Sequence, residues 1–212
     1  MSHDVYQAIF TISEHLELPV ILAALAALVV VIAEVGAFVA ESVRRVRRKL
    51  PSLTEAAETA RSQIAIHDRT AAIAALAAVG WSPPMATALE TFALTAGTPD
   101  AEPRIAKELA DFDYGRERRL VRTRMLVRIG PALGLMGTLI PLSPALEGLS
   151  AGNTAALTDN LRVAFSVTVL GLLIGAIAFG LSLVRDRIYG QDYSDLEYVA
   201  AILTSSAPQA DQ

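Results

Sequence analysis

The reading of this chain turns on the stretch Arg128-Ile129-Gly130-Pro131-Ala132-Leu133-Gly134-Leu135-Met136-Gly137-Thr138-Leu139-Ile140-Pro141. Beyond Arg128 it is apolar, it spaces small residues as one face of a helix would, and it holds a single hydroxyl in its middle. A second stretch answers it further along: Ala164-Phe165-Ser166-Val167-Thr168-Val169-Leu170-Gly171-Leu172-Leu173-Ile174-Gly175. Ile129 to Leu146 is a run of 18 residues without charge, and Val163 to Val184 a run of 22. Leu18 to Ala40 adds 23 residues with one charge, Glu34. A hydrocarbon core of roughly 30 Å needs about 20 helical residues to cross it. No water is present there to satisfy backbone groups, so each run has to be helical. The expected fold class is therefore an all-α integral membrane protein with three transmembrane helices and long helical extensions. The competing reading, a soluble protein with three core helices apolar all round, is disfavoured because such helices rarely occur together in a small chain.

Composition agrees. Of 212 residues, 53% are hydrophobic and only 19% charged, and mean hydropathy is +0.43. These values lie on the apolar side of the globular range. The net charge of −4 argues against a nucleic-acid binder, and with no cysteine there is neither a disulfide framework nor a thiolate metal site.

The lysines and arginines set the expected orientation. None precedes the first run, whereas Arg44-Arg45-Val46-Arg47-Arg48-Lys49 follows it. Arg116, Arg118, Arg119, Arg122, Arg124 and Arg128 precede the second run, and Arg185 and Arg187 follow the third. The N-terminus is expected outside and the C-terminus inside. The segments are then 1–17, an outer amphipathic piece; 18–40, the first span; 41–125, a cytoplasmic helical connector; 126–149, the second span; 150–161, an outer loop; 162–184, the third span; 185–204, a cytoplasmic helix; and 205–212, a disordered tail. Helix 1 lacks the basic flank of a cleavable signal and reads as a retained anchor that meets lipid over much of its surface.

Within the connector, Ser52 with Glu55 three residues on resembles a capping box, and the helix it opens should run to Val79 and stop at Gly80. Ser82 caps a short helix begun by Pro83 and Pro84 and ended near Gly97. From Arg104 no stop signal precedes Gly130. One helix over 104–149 would be roughly 69 Å long at about 1.5 Å per residue. Pro131, Pro141 and Pro144 predict kinks or local opening in it. His67 has no second ligand nearby and reads as a surface or packing histidine; Trp81 reads as a packed loop residue. The Arg-rich run 116–128 fits topology without invoking a lipid or nucleic-acid site. No catalytic group, metal site or cofactor is expected.

Helix 2 carries Gly130, Gly134, Gly137 and Thr138 on one face, and helix 3 carries Ala164, Thr168, Gly171 and Gly175. In lipid such faces let helices approach closely, so both are expected to pack on other helices. No strand precedes the glycines, which excludes a nucleotide-binding loop. A membrane threonine can always return its hydroxyl to a carbonyl of its own helix. Two hydroxyls at similar depth on antiparallel neighbours can instead line a polar track. Such a track carries no fixed charge, so a titrating acid must come from Glu34 or from another polypeptide. Glu34 is a candidate because an intramembrane acid is costly, although it could also pair with Arg44 or Arg45 at the membrane edge.

Gly130-Pro131-Ala132-Leu133-Gly134-Leu135-Met136-Gly137-Thr138 and Ala164-Phe165-Ser166-Val167-Thr168-Val169-Leu170-Gly171-Leu172 resemble the two signatures of the MotA/TolQ/ExbB proton-channel family. The resemblance is detailed over about 125–185. It implies a pentamer around two copies of a single-span partner of the ExbD/TolR/MotB type in the inner (cytoplasmic) membrane. The partner brings a protonatable aspartate, and Thr138 and Thr168 match the threonines that line the ion path beside it. Proton or other ion flow would then drive motion of the partner. The chain departs from the TolQ and ExbB branch at Val163, where that branch has a glutamate five residues before the second threonine. Val163-Ala164-Phe165 is closer to the flagellar-stator branch. A structural scaffold on the same fold, with no ion flux, is the alternative; a small secondary transporter is disfavoured because no internal repeat is visible.

Overall fold

The computed structural model describes residue 12, residues 15–45 and residues 50–205. Regular structure among the described residues is helical throughout: α1 Glu17–Arg45, α2 Leu50–Ala65, α3 Arg69–Ala77, α4 Pro83–Thr95, α5 Ala101–Ser150 and α6 Thr154–Thr204. Three of them, α1, α5 and α6, are long and apolar enough to cross a membrane. Most of the amphipathic piece 1–17, nearly all of the tail 205–212, and the side chains of the basic cluster 44–49 lie outside the described residues.

Local chemistry explains where the helices start and stop. The helix expected from Ser52 to Val79 is broken in two, and Ser52 lies inside α2 rather than capping it. The break is a Schellman turn: Asp68 N donates to Gln63 O (2.9 Å) and His67 N to Ile64 O (3.0 Å). His67 takes the left-handed position at φ 64°, one that histidine tolerates better than most non-glycine residues. Asp68 then caps α3, its Oδ1 accepting from Ala71 N at 2.9 Å. The α4 boundaries follow the sequence signals, with Ser82 Oγ accepting from Met85 N.

The stretch read as a loop over 150–161 is only a three-residue turn, with 154–161 already helical. Gly152, at φ 77°, ends α5 in a second Schellman turn (Asn153 N to Gly148 O 2.8 Å, Gly152 N to Leu149 O 3.0 Å). Asn153 at once caps α6, accepting from Ala156 N at 3.1 Å. The turn chemistry at Asn153 was legible. The loop was overdrawn because an apolar run marks a membrane boundary, whereas helices extend past it. Helix α5 is unbroken through Pro131, Pro141 and Pro144, so no segment opens into non-helical backbone there.

The chain forms two compact units: residues 1–37 with 121–183, and residues 38–120 with 184–212, taken over the described residues. In the first, α1 buries Val20, Ala24, Ala27 and Val31 in a cluster with Leu126, Leu133, Val167, Ile174 and Ala178. The alternating steps of four and three are those of a heptad seam. Along its apolar stretch α1 is the least buried of the three, 22% against 33% for α5 and 39% for α6. In the second unit, Leu53, Leu76, Met85, Leu89, Phe92, Ile105, Phe112, Leu196, Val199 and Leu203 form an ordinary apolar core. Trp81 packs against it, as the sequence suggested, and its Nε1 donates to Asp192 Oδ1 at 3.1 Å.

Candidate functional site

The two small-residue faces meet each other. Gly130 lies against Gly171 and Gly175, Gly134 against Thr168 and Gly171, and Gly137 against Val167. A methyl group added at Gly171 would sit 2.7 Å from Gly134 Cα, and one at Gly130 would sit 2.8 Å from Gly171 O. At this spacing the two backbones touch, which only glycine permits. Ala164, 3% exposed, is buried one turn from Thr168 on the same face of α6. Pro131 seats its ring on Gly175. Proline has no N–H to give to the carbonyl four residues earlier; that carbonyl, on Val127, also borders Gly175.

Thr168 is half-buried at this contact. Its hydroxyl donates to Gly134 O across the helix pair and to Ala164 O within α6, both at 3.0 Å. Thr138, also half-buried, donates to Leu135 O of its own helix at 2.8 Å. The two threonines do not bond to each other. With Gly134 opposite Thr168, Thr138 lies about one turn further along α5, an axial offset of ~6 Å at 1.5 Å per residue. The two hydroxyls are thus at similar depth.

They also share a flank. On α5, Leu126, Val127, Leu133 and Ile140 belong to the cluster shared with α1 and α6, with Leu126, Leu133 and Ile140 making one stripe; on α6, Val167, Leu170, Ile174, Ile177 and Ala178 belong to it. At 3.6 residues per turn, Thr138 is turned roughly 140° from the first stripe and Thr168 roughly 130° from the second. Both therefore lie on the side of the α5–α6 pair away from α1. Near them Leu135, Phe165 and Leu172 are exposed, at 60, 64 and 56%.

This arrangement fixes what the hydroxyls can do. A hydroxyl has one donor and two acceptor sites. Both protons are already committed to carbonyls, so what each threonine offers outward is lone-pair density. The flank can accept from a protonated carboxyl or a water, or coordinate a cation. It has no donor to give an anion without breaking an existing bond.

Glu34 falls elsewhere. It continues the heptad seam of α1, three residues after buried Val31, and is half-buried. Its face is turned toward the α5–α6 pair, on the side opposite the hydroxyls. Among the described residues no cluster of side chains is suited to hold a metal ion.

Several buried polar residues were not singled out from the sequence. Thr123 is 0% exposed. In the second unit Arg185, Tyr189, Asp192 and Asp195 are each buried. Tyr189 Oη donates to Glu41 Oε2 at 2.9 Å. Burial, then the Glu41 carboxylate and its hydrogen bond, push the Tyr189 phenol up to about 12. In the sequence these residues look like an ordinary charged cytoplasmic helix. The one available signal was the heptad seam of α1, which runs on through Glu34 to Phe38 and Glu41.

No curated relative matches the chain. Residues 85–185, which run from α4 through α5 and the apolar part of α6 and so contain both glycine–threonine motifs, match the model of the MotA/TolQ/ExbB proton channel family.

Proposed function

We propose that this protein is the pore-forming subunit of an ion-gradient-driven motor or stator complex, probing its gradient through the Thr138–Thr168 flank. The observation that carries the reading is the common flank itself. Two hydroxyls at similar depth face away from α1, with lone pairs outward, on a surface that the described residues leave uncovered. Such a wall suits a partner helix that carries a protonatable carboxylate. In this reading the partner is a single-span chain of the ExbD/TolR/MotB type, and about five copies of the present chain surround it. The N-terminus lies outside and the connector and C-terminus inside the inner membrane, as the arginines suggest. Glu34, on the opposite side of the helix pair, is not the carrier. The ion is a proton.

The energy scale is adequate. One charge crossing 100 mV releases roughly 2.3 kcal/mol, while a hydrogen bond between membrane helices is worth about 0.6–2 kcal/mol. The threonines can therefore guide a carrier without trapping it. Thr138→Val and Thr168→Val should each depress proton flux in vesicles containing the assembled complex, and the double variant should abolish most of it while assembly persists. Undiminished flux in the double variant would refute the reading.

A second reading has its own observation. The Thr168 hydroxyl ties α6 to Gly134 O, which is also what a purely structural threonine would do, and Val163 stands where a branch of the family has an acid. A scaffold without flux predicts that Thr168→Val lowers thermal stability and leaves the cellular phenotype independent of the ion gradient. Thr138→Val separates the two, because its bond lies within one helix and contributes nothing between helices.

A further inference from the structure

The second unit contains a paired contact that its apolar core does not account for. Phe38 and Glu41 lie three residues apart on one face of α1, at the end of its heptad seam. Arg185 and Tyr189 lie four apart on one face of α6. The two pairs meet rung to rung. The Arg185 guanidinium stands over the Phe38 ring, 5.9 Å from its centroid, and Tyr189 Oη donates to Glu41 Oε2 at 2.9 Å. Arg185 and Tyr189 are each 5% exposed. From α5, Arg119 lies over the other participant, 5.7 Å from the Tyr189 ring centroid. Among the described residues the apolar core of this unit draws none from α1.

Each rung is of a kind that is strong when shielded from water. A cation held over an aromatic face gains most when desolvated, and a hydroxyl bonded to a carboxylate is among the stronger hydrogen bonds. A polar contact with both partners matched offsets much of its cost of burial; with one removed, it leaves a buried group unmatched. Such a pair has two states, closed or open, and little between.

We propose that Arg185 and Tyr189 are positioning residues forming a two-rung latch that clamps the Phe38–Glu41 end of α1 to α6. The latch makes α1 and α6 move as one strut. A displacement of α6 is then passed to α1, the least buried of the three long helices along its apolar stretch, rather than lost as sliding between them. The inference stands on this geometry alone and holds whether or not ions pass along the threonine flank.

The chain has no cysteine, so two can be introduced for spin labels without removing any. Val43 and Gln191 are exposed and lie off the contacting faces of their helices. With labels there, in the full-length protein in lipid nanodiscs, the parent should give one narrow distance distribution. Tyr189→Phe keeps the ring and its stacking and loses only the hydroxyl. It should raise the open, long-distance population roughly tenfold, the change expected for losing one charge-assisted hydrogen bond. Glu41→Ala should reproduce that effect from the other partner, and serves if Tyr189→Phe does not assemble. Glu41→Gln keeps an acceptor and should remain mostly closed. An unchanged distribution in both Tyr189→Phe and Glu41→Ala overturns the latch, as does Glu41→Gln opening as far as Glu41→Ala with no difference between them. Proton flux, read in parallel on the same variants, tests the transport reading separately: an opened latch with unchanged flux keeps the latch and removes it from transport.

Discussion

Helices α5 and α6 are joined by two different kinds of seam. Along their apolar stretches, glycine meets glycine and the backbones touch; in the second unit, arginines of α5 meet buried polar residues of α6 beside an apolar core. The difference follows from the solvent. In lipid, apolar side chains gain nothing by leaving their surroundings, so helices are held by close van der Waals approach, which small residues allow. In water, burial of apolar area does the holding, and polar groups can be buried where they find partners. Arg116, its guanidinium beside Gly190 of α6 and its Nε 2.9 Å from Asp113 Oδ1, belongs to the second kind of seam.

The contrast breaks most sharply at Gly171. Gly171→Val would drive a branched side chain into the backbone of α5 at Gly130 and Gly134. Backbone cannot step aside as a side chain can, so the loss should reach or exceed the 1–3 kcal/mol usual for overpacking. Thermal unfolding in detergent, together with recovery of folded protein, reads it; a variant as stable as the parent would mean the glycine seam is not the contact that holds these helices. In the polar seam the comparable test is Asp192→Ala, which strips Trp81 Nε1 of its acceptor and should cost about 1–3 kcal/mol. Asp192→Asn keeps an acceptor and should recover part of that loss in the same melting experiment.

A smaller effect sharpens the same comparison through pH. The Tyr189 phenol is raised from 10.0 to about 12 in the folded state. A raised value means the fold favours the protonated form. Its contribution is complete below pH 10 and is lost as pH climbs from 10 to about 12. Burial also raises the Tyr193 phenol, so phenolate absorbance should show late-titrating tyrosine, and Tyr189→Phe should remove the part of it near pH 12. The smallest effect is expected at Gly180, which lies in α6 with nothing within 4 Å of an added Cβ. Gly180→Ala should be neutral or stabilising by up to about 1 kcal/mol, showing that the cost at Gly171 comes from contact and not from helical glycine as such.

Much of the fold was legible because it is written locally. Three apolar runs of membrane length became α1, α5 and α6, and Ser82, Gly97 and Asn153 marked the helix boundaries their chemistry suggests. His67 was missed because the Schellman position usually belongs to glycine, and a histidine there gives no warning. Thr138 and Thr168 stand out in the sequence through their motifs. Their difference in bonding, Thr138 within its helix and Thr168 across to Gly134, had no trace in the sequence, since both sit in equivalent small-residue surroundings.

The sequence by itself determined the helical class, the three long apolar segments and the two faces of small residues, because hydrophobic length and residue spacing are properties of each segment alone. Only the tertiary structure decided that the two faces pack on each other, that both hydroxyls share the flank away from α1 while Glu34 lies on the other side, and that Tyr189 reaches Glu41. Those facts depend on the rotation of one helix against another. That rotation is chosen by contacts between residues far apart in the chain, where a glycine, a proline ring or a buried arginine admits one setting and excludes its neighbours.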